Sequence, residues 1–283
     1  MYVAAVTTHT FYLYTHREFG PRDFHHPLIS TRMPSVANAA DKQQAEKILK
    51  QKFVYLSYGG QMTVYESEDG LYVLKFFNPR SVLKEDWFHR WPKLMRINSW
   101  KWISNTYLHQ KERLEKYFHR TAMSYNDLKD EAGLIYIHID PGTSIDQTVE
   151  LQDKEGTTHH FKLDSTPFVL QRKVELTRPY LDRMRHEGRL KEAGKKIYSL
   201  FLIRAQKGYK DPFQAVAKNF GFIDEKFVQF DTGRIRKDET VLKHPDQEVK
   251  RVLNNIKPLL TDYPELISEI DKIATSPTET SNL

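Results

Sequence analysis

Apolar side chains first recur at helical spacing at Ala45, Ile48, Leu49 and Phe53, behind Asp41, a residue suited to an N-cap. The period then changes to two. Phe53 to Tyr58, Thr63 to Ser67 and Leu71 to Phe77 read as three strands. Asp69-Gly70 between the last two predicts a tight hairpin with positive φ at both turn positions. Helical spacing returns from Asn105 to about Lys129, with Leu108, Leu114, Tyr117 and Phe118 on one side. Leu134 to Ile139, Thr148 to Leu151, Thr158 to Leu163 and Phe168 to Val174 read as further strands, the middle pair joined by a turn at Asp153 to Gly156.

Beyond Thr177 the pattern is mainly helical. Leu190, Ala193, Ile197, Leu200 and Phe201 form one stripe, and two short strands follow at Phe220 to Ile223 and Phe227 to Phe230. Helices near Gln247–Leu259 and Pro264–Ala274 close the pattern. Strands followed by helices predict an α+β fold in two lobes, an antiparallel β N-lobe and a mainly α C-lobe. The expected divisions are an arm or linker over 1–40, a β-rich lobe over 41–175, a helical lobe over 176–274 and a tail over 275–283.

Composition narrows the chemistry. The chain has 283 residues and no Cys, which excludes a disulfide scaffold, a thiolate metal site and a Cys nucleophile and permits a cytoplasmic location. The net charge of +6 is mixed along the chain and exerts only a weak pull on phosphates or anionic lipid. Met1 to Tyr14 is uncharged but too short and too rich in Thr to span a bilayer. It reads as a frayed arm, or as a segment through which the chain touches a membrane. All four Trp fall within 79–103, interleaved with Arg and Lys. That insertion reads as packing onto the small lobe; its rivals are a stacking surface for single-stranded nucleic acid or a membrane patch.

Three elements carry candidate chemistry. Gly59-Gly60 lies between two strands, where glycine lets backbone N–H groups approach a phosphate. Lys75 sits inside the apolar run Tyr72 to Phe77, and a lysine among buried neighbours needs an anionic partner. Asn219 enters and Asp231 leaves a short hairpin, so an amide oxygen and a carboxylate converge at its open end, a hard-oxygen pair suited to Mg²⁺ with phosphates completing the shell. Ordinary alternatives are a turn, an edge-strand lysine and two local turn caps.

In this order the elements resemble the protein-kinase-like fold. Gly59-Gly60 to Val64-Tyr65 looks like its glycine-rich loop, Tyr72-Val73-Leu74-Lys75 like its lysine strand, Asn219 like the metal-binding Asn, and Asp231-Thr232-Gly233 like its Asp-Phe-Gly motif. Ser67 to Phe77 and Asn219-Phe220-Gly221-Phe222 look most like uncharacterised kinase-like proteins of chlamydia-type bacteria. The resemblance implies a phosphotransferase that binds ATP and Mg²⁺ in an inter-lobe cleft. Its acceptor would be a protein or a small molecule, and nucleic acid is not the expected partner. It implies Asp211 as base, Lys218 as a charge stabiliser, and Glu112, Glu115 or Glu131 as the carboxylate paired with Lys75, the first two suiting the usual spacing better. Three features depart from the pattern, the first being that only Gly59 and Gly60 are glycine where the usual loop is Gly-x-Gly-x-x-Gly. Asp211 stands eight residues before Asn219 rather than five, and the C-lobe is shortened, with no Ala-Pro-Glu after Asp231. The rivals are a pseudokinase that gates a partner through nucleotide, and a basic α+β nucleic-acid-binding protein.

Overall fold

A computed structural model describes residues 20, 21, 24, 38–78, 112, 114–140, 145–212 and 216–275. The Trp-rich segment 79–103, Met1 to Tyr14 and the tail beyond Thr275 lie outside the described residues. The chain folds as an α+β protein with two compact units. The first comprises 1–122 and 135–171, the second 123–134 and 172–283.

The first unit is built on one sheet. Helix α1 (Ala39–Ile48) leads into β1 (Lys52–Tyr58), β2 (Met62–Ser67) and β3 (Tyr72–Phe77). Asn38, not Asp41, caps α1: its side chain accepts the Asp41 N–H at 2.8 Å, which makes Asp41 a first-turn residue. Both are good cap formers, and the helix starts where the earlier one reaches that free N–H. Then come β4 (Leu134–His138), β5 (Thr148–Gln152), β6 (Thr158–Lys162) and β7 (Phe168–Arg172), in the sheet order β4-β7-β3-β2-β1-β5-β6. The β1–β2, β2–β3 and β5–β6 pairs are antiparallel; β1 and β5 run parallel.

The β2–β3 turn differs from expectation. Gly70 alone has positive φ (70°), and Asp69 does not. The loop is one of four residues, Glu68 to Leu71, closed by Gly70 N–H to the Ser67 carbonyl at 2.9 Å. The Asp69 carboxylate accepts from the Leu71 N–H and the Ser67 hydroxyl, so it stabilises the loop as a side-chain acceptor.

Strand alternation sends Leu74 and Phe76 to one face of β3 and Val73, Lys75 and Phe77 to the other. Leu74 and Phe76 join Phe53, Tyr65 and Phe161 in the first core. Phe24, in a stretch that reads as linker, is fully buried there and stacks on Phe76 at 4.6 Å. On the other face Phe77 meets Phe118 of helix α2 (residues 114–127) at 4.5 Å. Burial of each such side chain contributes about 1.5–3 kcal/mol.

The second unit holds α3 (Lys129–Ala132), β8 (Glu175–Leu176), α4 (Thr177–His186), α5 (Leu190–Gln206), β9 (Tyr209–Lys210), α6 (Val216–Asn219), β10 (Phe220–Ile223) and β11 (Lys226–Gln229). After these come β12 (Arg236–Lys237), α7 (Glu239–Lys243), α8 (Pro245–Ile256) and α9 (Pro264–Thr275). The α5 stripe seen in the sequence is buried and packs with Val252, Leu253, Leu266 and Ile270 from α8 and α9. The β10–β11 hairpin rests on this core through Phe220, Phe222 and Phe227. Strand β8 pairs with β10 at Gly221, where a Cβ would lie 2.5 Å from the Glu175 carbonyl, so only glycine allows this approach.

Candidate functional site

The glycine turn joins β1 to β2. The Gly59 N–H donates to the Met62 carbonyl at 2.9 Å. Asn78, just beyond β3, fastens the turn: its amide donates to the Gly59 carbonyl at 2.7 Å, and its backbone N–H to the Gln61 carbonyl at 2.8 Å. The Asn78 side-chain oxygen accepts from Thr63 at 2.9 Å, so this buried side chain is satisfied on both ends. Neither Gly59 nor Gly60 has positive φ, and a Cβ on Gly60 would meet nothing within 4 Å. The chain's own packing therefore does not require glycine at either position.

Lys75 is half-buried on the β3 face shared with Phe77, opposite Val64 of β2. Of the three carboxylates considered for it, Glu112 is exposed and lies 4.0 Å from Lys116. Glu115 is exposed on α2 and makes no ion pair among the described residues. Glu131, on α3, is buried and accepts from Lys207 at 3.1 Å. That pairing holds it within the second unit.

In the second unit the hairpin brings the backbones of Asn219 and Asp231 together at its open end. Phe220 faces Gln229 in register, and the Asn219 carbonyl accepts the N–H of Phe230 at 3.0 Å and of Asp231 at 3.4 Å. Thr177, at the start of α4, fixes the entering strand, its hydroxyl lying 2.9 Å from both the Val216 and Phe220 carbonyls. Asp231 is exposed; one carboxylate oxygen accepts the Gly233 N–H at 3.0 Å. Asn219 is half-buried, and Lys218 beside it is exposed without an ion pair among the described residues. No cluster of three or more His, Asp or Glu that could hold a metal occurs among the described residues. A lone carboxylate with an amide oxygen suits a cation that takes most of its shell from phosphates and water, as Mg²⁺ does.

Asp211 is almost fully buried, at 1% exposure. Its Oδ2 accepts from the Gln229 amide at 2.5 Å, and its carbonyl from Arg251 at 3.2 Å. Gln229 also donates to the Asp231 carbonyl at 3.1 Å and accepts from Arg204 Nη1 at 2.7 Å. Arg204 is 1% exposed, and its Nε and Nη2 have no hydrogen-bond partner among the described residues. Burial pushes its pKa down to about 10 against the opposing pull of Asp211 and Glu248. Glu248 is buried too and grips Arg251 through both oxygens, at 2.6 and 2.7 Å. A buried polar chain thus connects α5 and α8 to the backbone at Asp211 and Asp231.

Gln229, Arg204 and Asn78 did not stand out as candidates in the sequence. Their signal was a polar residue within an apolar run: Gln229 in Phe227 to Phe230, Arg204 in Ile197 to Ala205.

No family model and no curated protein matches the chain, so the resemblance to chlamydia-type kinase-like proteins has no sequence-family match behind it. Among solved structures it is weakly similar to Rv3197 of Mycobacterium tuberculosis, solved in complex with erythromycin: 9% identity, 90% of this chain and 61% of that one, TM-score 0.37. It is also weakly similar to WbdD: 13% identity, 81% of this chain and 48% of that one, TM-score 0.30. The chain therefore spans about three fifths and about half of the lengths of those two proteins.

Proposed function

We propose that this chain is a kinase-like nucleotide-binding protein that takes ATP with Mg²⁺. The observation that carries the proposal is the open end of the β10–β11 hairpin. There Asn219 and the exposed Asp231 are held one on each side by the bonds from Phe230 N–H and Asp231 N–H to the Asn219 carbonyl. In this reading Asn219 and Asp231 hold the metal, which neutralises phosphate charge. Lys75 contacts phosphate, and Lys218 lies beside the transferred group. The fold's own indifference to glycine at Gly59 and Gly60 fits a close approach by phosphate.

The second reading is a pseudokinase, a module whose nucleotide gates a partner. The burial of Asp211 favours it, because a general base must come within about 3 Å of the acceptor hydroxyl, directly or through one water. The acceptor or partner is a protein or a small molecule in either case.

The test is thermal unfolding with ATP, with and without Mg²⁺. A ligand at a hundredfold excess over Kd adds about 2.7 kcal/mol to the native state. The expected result is a Mg²⁺-dependent rise in Tm that Lys75→Ala largely removes, and that Asp231→Asn makes independent of metal. No rise with any nucleotide would overturn both readings.

A further inference from the structure

The second unit contains a half-open groove of about 430 Å³ that has no part in the reading above. One wall is a stripe of α5, in which Lys195, Lys196, Ser199 and Ile203 follow one another at helical spacing. The other is the β10–β11 turn, Asp224 to Phe227. Leu200, Ile203 and Phe227 supply an apolar floor.

The charges in this groove are not balanced within it. Each of its carboxylates already has a cation. Glu131 is held by Lys207 at 3.1 Å, Glu192 by Arg189 at 2.7 Å, and Asp224 by Arg172 at 2.6 Å. All three of those cations come from outside the lining. Glu225 is bonded to Lys196 and to the Tyr180 hydroxyl. Lys195 and Lys226 remain, exposed and with no ion pair among the described residues. The half-buried Ser199 hydroxyl likewise has no hydrogen-bond partner among them.

We propose that this groove binds a small organic anion, a single carboxylate or phosphate on an apolar body. The two ammonium groups and the Ser199 hydroxyl would receive the charged end, and Leu200, Ile203 and Phe227 the body. Anion binding here displaces no internal salt bridge, because every carboxylate of the groove keeps its own cation. The volume lies in the range of pockets that enclose small ligands, about 300–1,000 Å³. Lys75, Asn219 and Asp231 take no part, so the proposal stands or falls independently of nucleotide binding.

The experiment is an NMR titration of the full chain with phenyl phosphate, benzoate, inorganic phosphate and benzyl alcohol, following backbone amides. Phenyl phosphate or benzoate should give saturable shifts centred on Lys195, Ser199 and Lys226, with Kd on the order of 1 mM for ligands of this size. The tighter of the two identifies the headgroup. Inorganic phosphate, which lacks the body, and benzyl alcohol, which lacks the charge, should each bind at least tenfold more weakly. Lys195→Ala with Lys226→Ala should weaken the anion at least tenfold at unchanged Tm, and Lys195→Arg with Lys226→Arg should restore it. Shifts centred elsewhere, equal binding of benzyl alcohol, or undiminished binding by the double alanine variant would each overturn the proposal.

Discussion

Arg204 carries a guanidinium into an interior where its Nε and Nη2 find no partner among the described residues. Such a charge is tolerated only where neighbouring groups compensate it. Here the compensation passes through Gln229, which accepts from Arg204 on one end and donates to Asp211 and the Asp231 carbonyl on the other. Gln229→Leu keeps the volume and strips both ends at once. It should cost about 2–4 kcal/mol, since each buried polar group left without a partner costs about 1–3 kcal/mol and a charged one more. Urea unfolding measures this; a loss below about 0.5 kcal/mol would show that Gln229 is not the bridge. The sequence made the meeting of the Asn219 and Asp231 backbones legible, because residues flanking a short hairpin must converge. It did not make this chain legible. A polar residue in an apolar run declares that it needs a partner, but the partners of Gln229 lie 18 and 25 residues away along the chain.

Among the elements, the β10–β11 turn holds the positive-φ non-glycine residues of the described chain. Asp224 (φ 44°) and Glu225 (φ 68°) both occupy the left-handed region that suits a tight hairpin, and neither is glycine. Backbone strain and side-chain bonding oppose one another at Glu225. Its carboxylate pKa is held below the ordinary value, chiefly by the hydrogen bond from Lys196 and then by that from Tyr180. Glu225→Ala loses the carboxylate and keeps the strain, whereas Glu225→Gly loses both. The glycine variant should therefore be the more stable by about 1–2 kcal/mol, read by urea denaturation of the pair. Equal stabilities would show that the turn relaxes in alanine. The pH dependence has a definite sign. A depressed carboxylate contributes stability that is present above its ordinary pKa of 4.5 and is lost as pH falls through the lower folded value. Glu225→Gln should flatten the Tm-against-pH curve below about pH 4.5 and leave its slope at pH 6–8 unchanged. A curve parallel to wild type in acid would remove Glu225 from that role. Longer elements such as β1, β5 and α5 were legible because their apolar period persists for a turn or several pairs. The two-residue strands β8, β9 and β12 were not, because two residues have no period and such strands exist only through their partners.

At the scale of the whole molecule, each unit has its own core, and the α+β character follows from strand period in one and helix period in the other. No helix among the described residues is long and apolar enough to cross a membrane. Under the proposed kinase-like reading, what separates an enzyme from a binding module is the state of one carboxylate. Asp211 lies inside the second unit, its oxygen taken by Gln229 and its carbonyl by Arg251. A base so placed would have to leave that network to reach an acceptor, exposing the charge of Arg204 as it went. Transfer of the γ-phosphoryl group from labelled ATP should accordingly be slow, at least a hundredfold below the 1–100 s⁻¹ of typical kinases. Asp211→Asn keeps the acceptor oxygen for Gln229 and removes the negative charge. It should lower Tm, because Arg204 loses part of its compensation, and should leave any transfer within about threefold of wild type, less than about 0.7 kcal/mol on the barrier. A tenfold fall in transfer at unchanged Tm would reverse this assignment and make Asp211 the base. Transfer that survives in Asp211→Asn but vanishes in Asp231→Ala would leave a phosphotransferase whose acceptor needs no protein base. No transfer by wild type, together with Mg²⁺-dependent ATP binding, would identify the pseudokinase, in which the buried chain from Arg204 to Asp231 stabilises the metal-binding hairpin rather than a reaction.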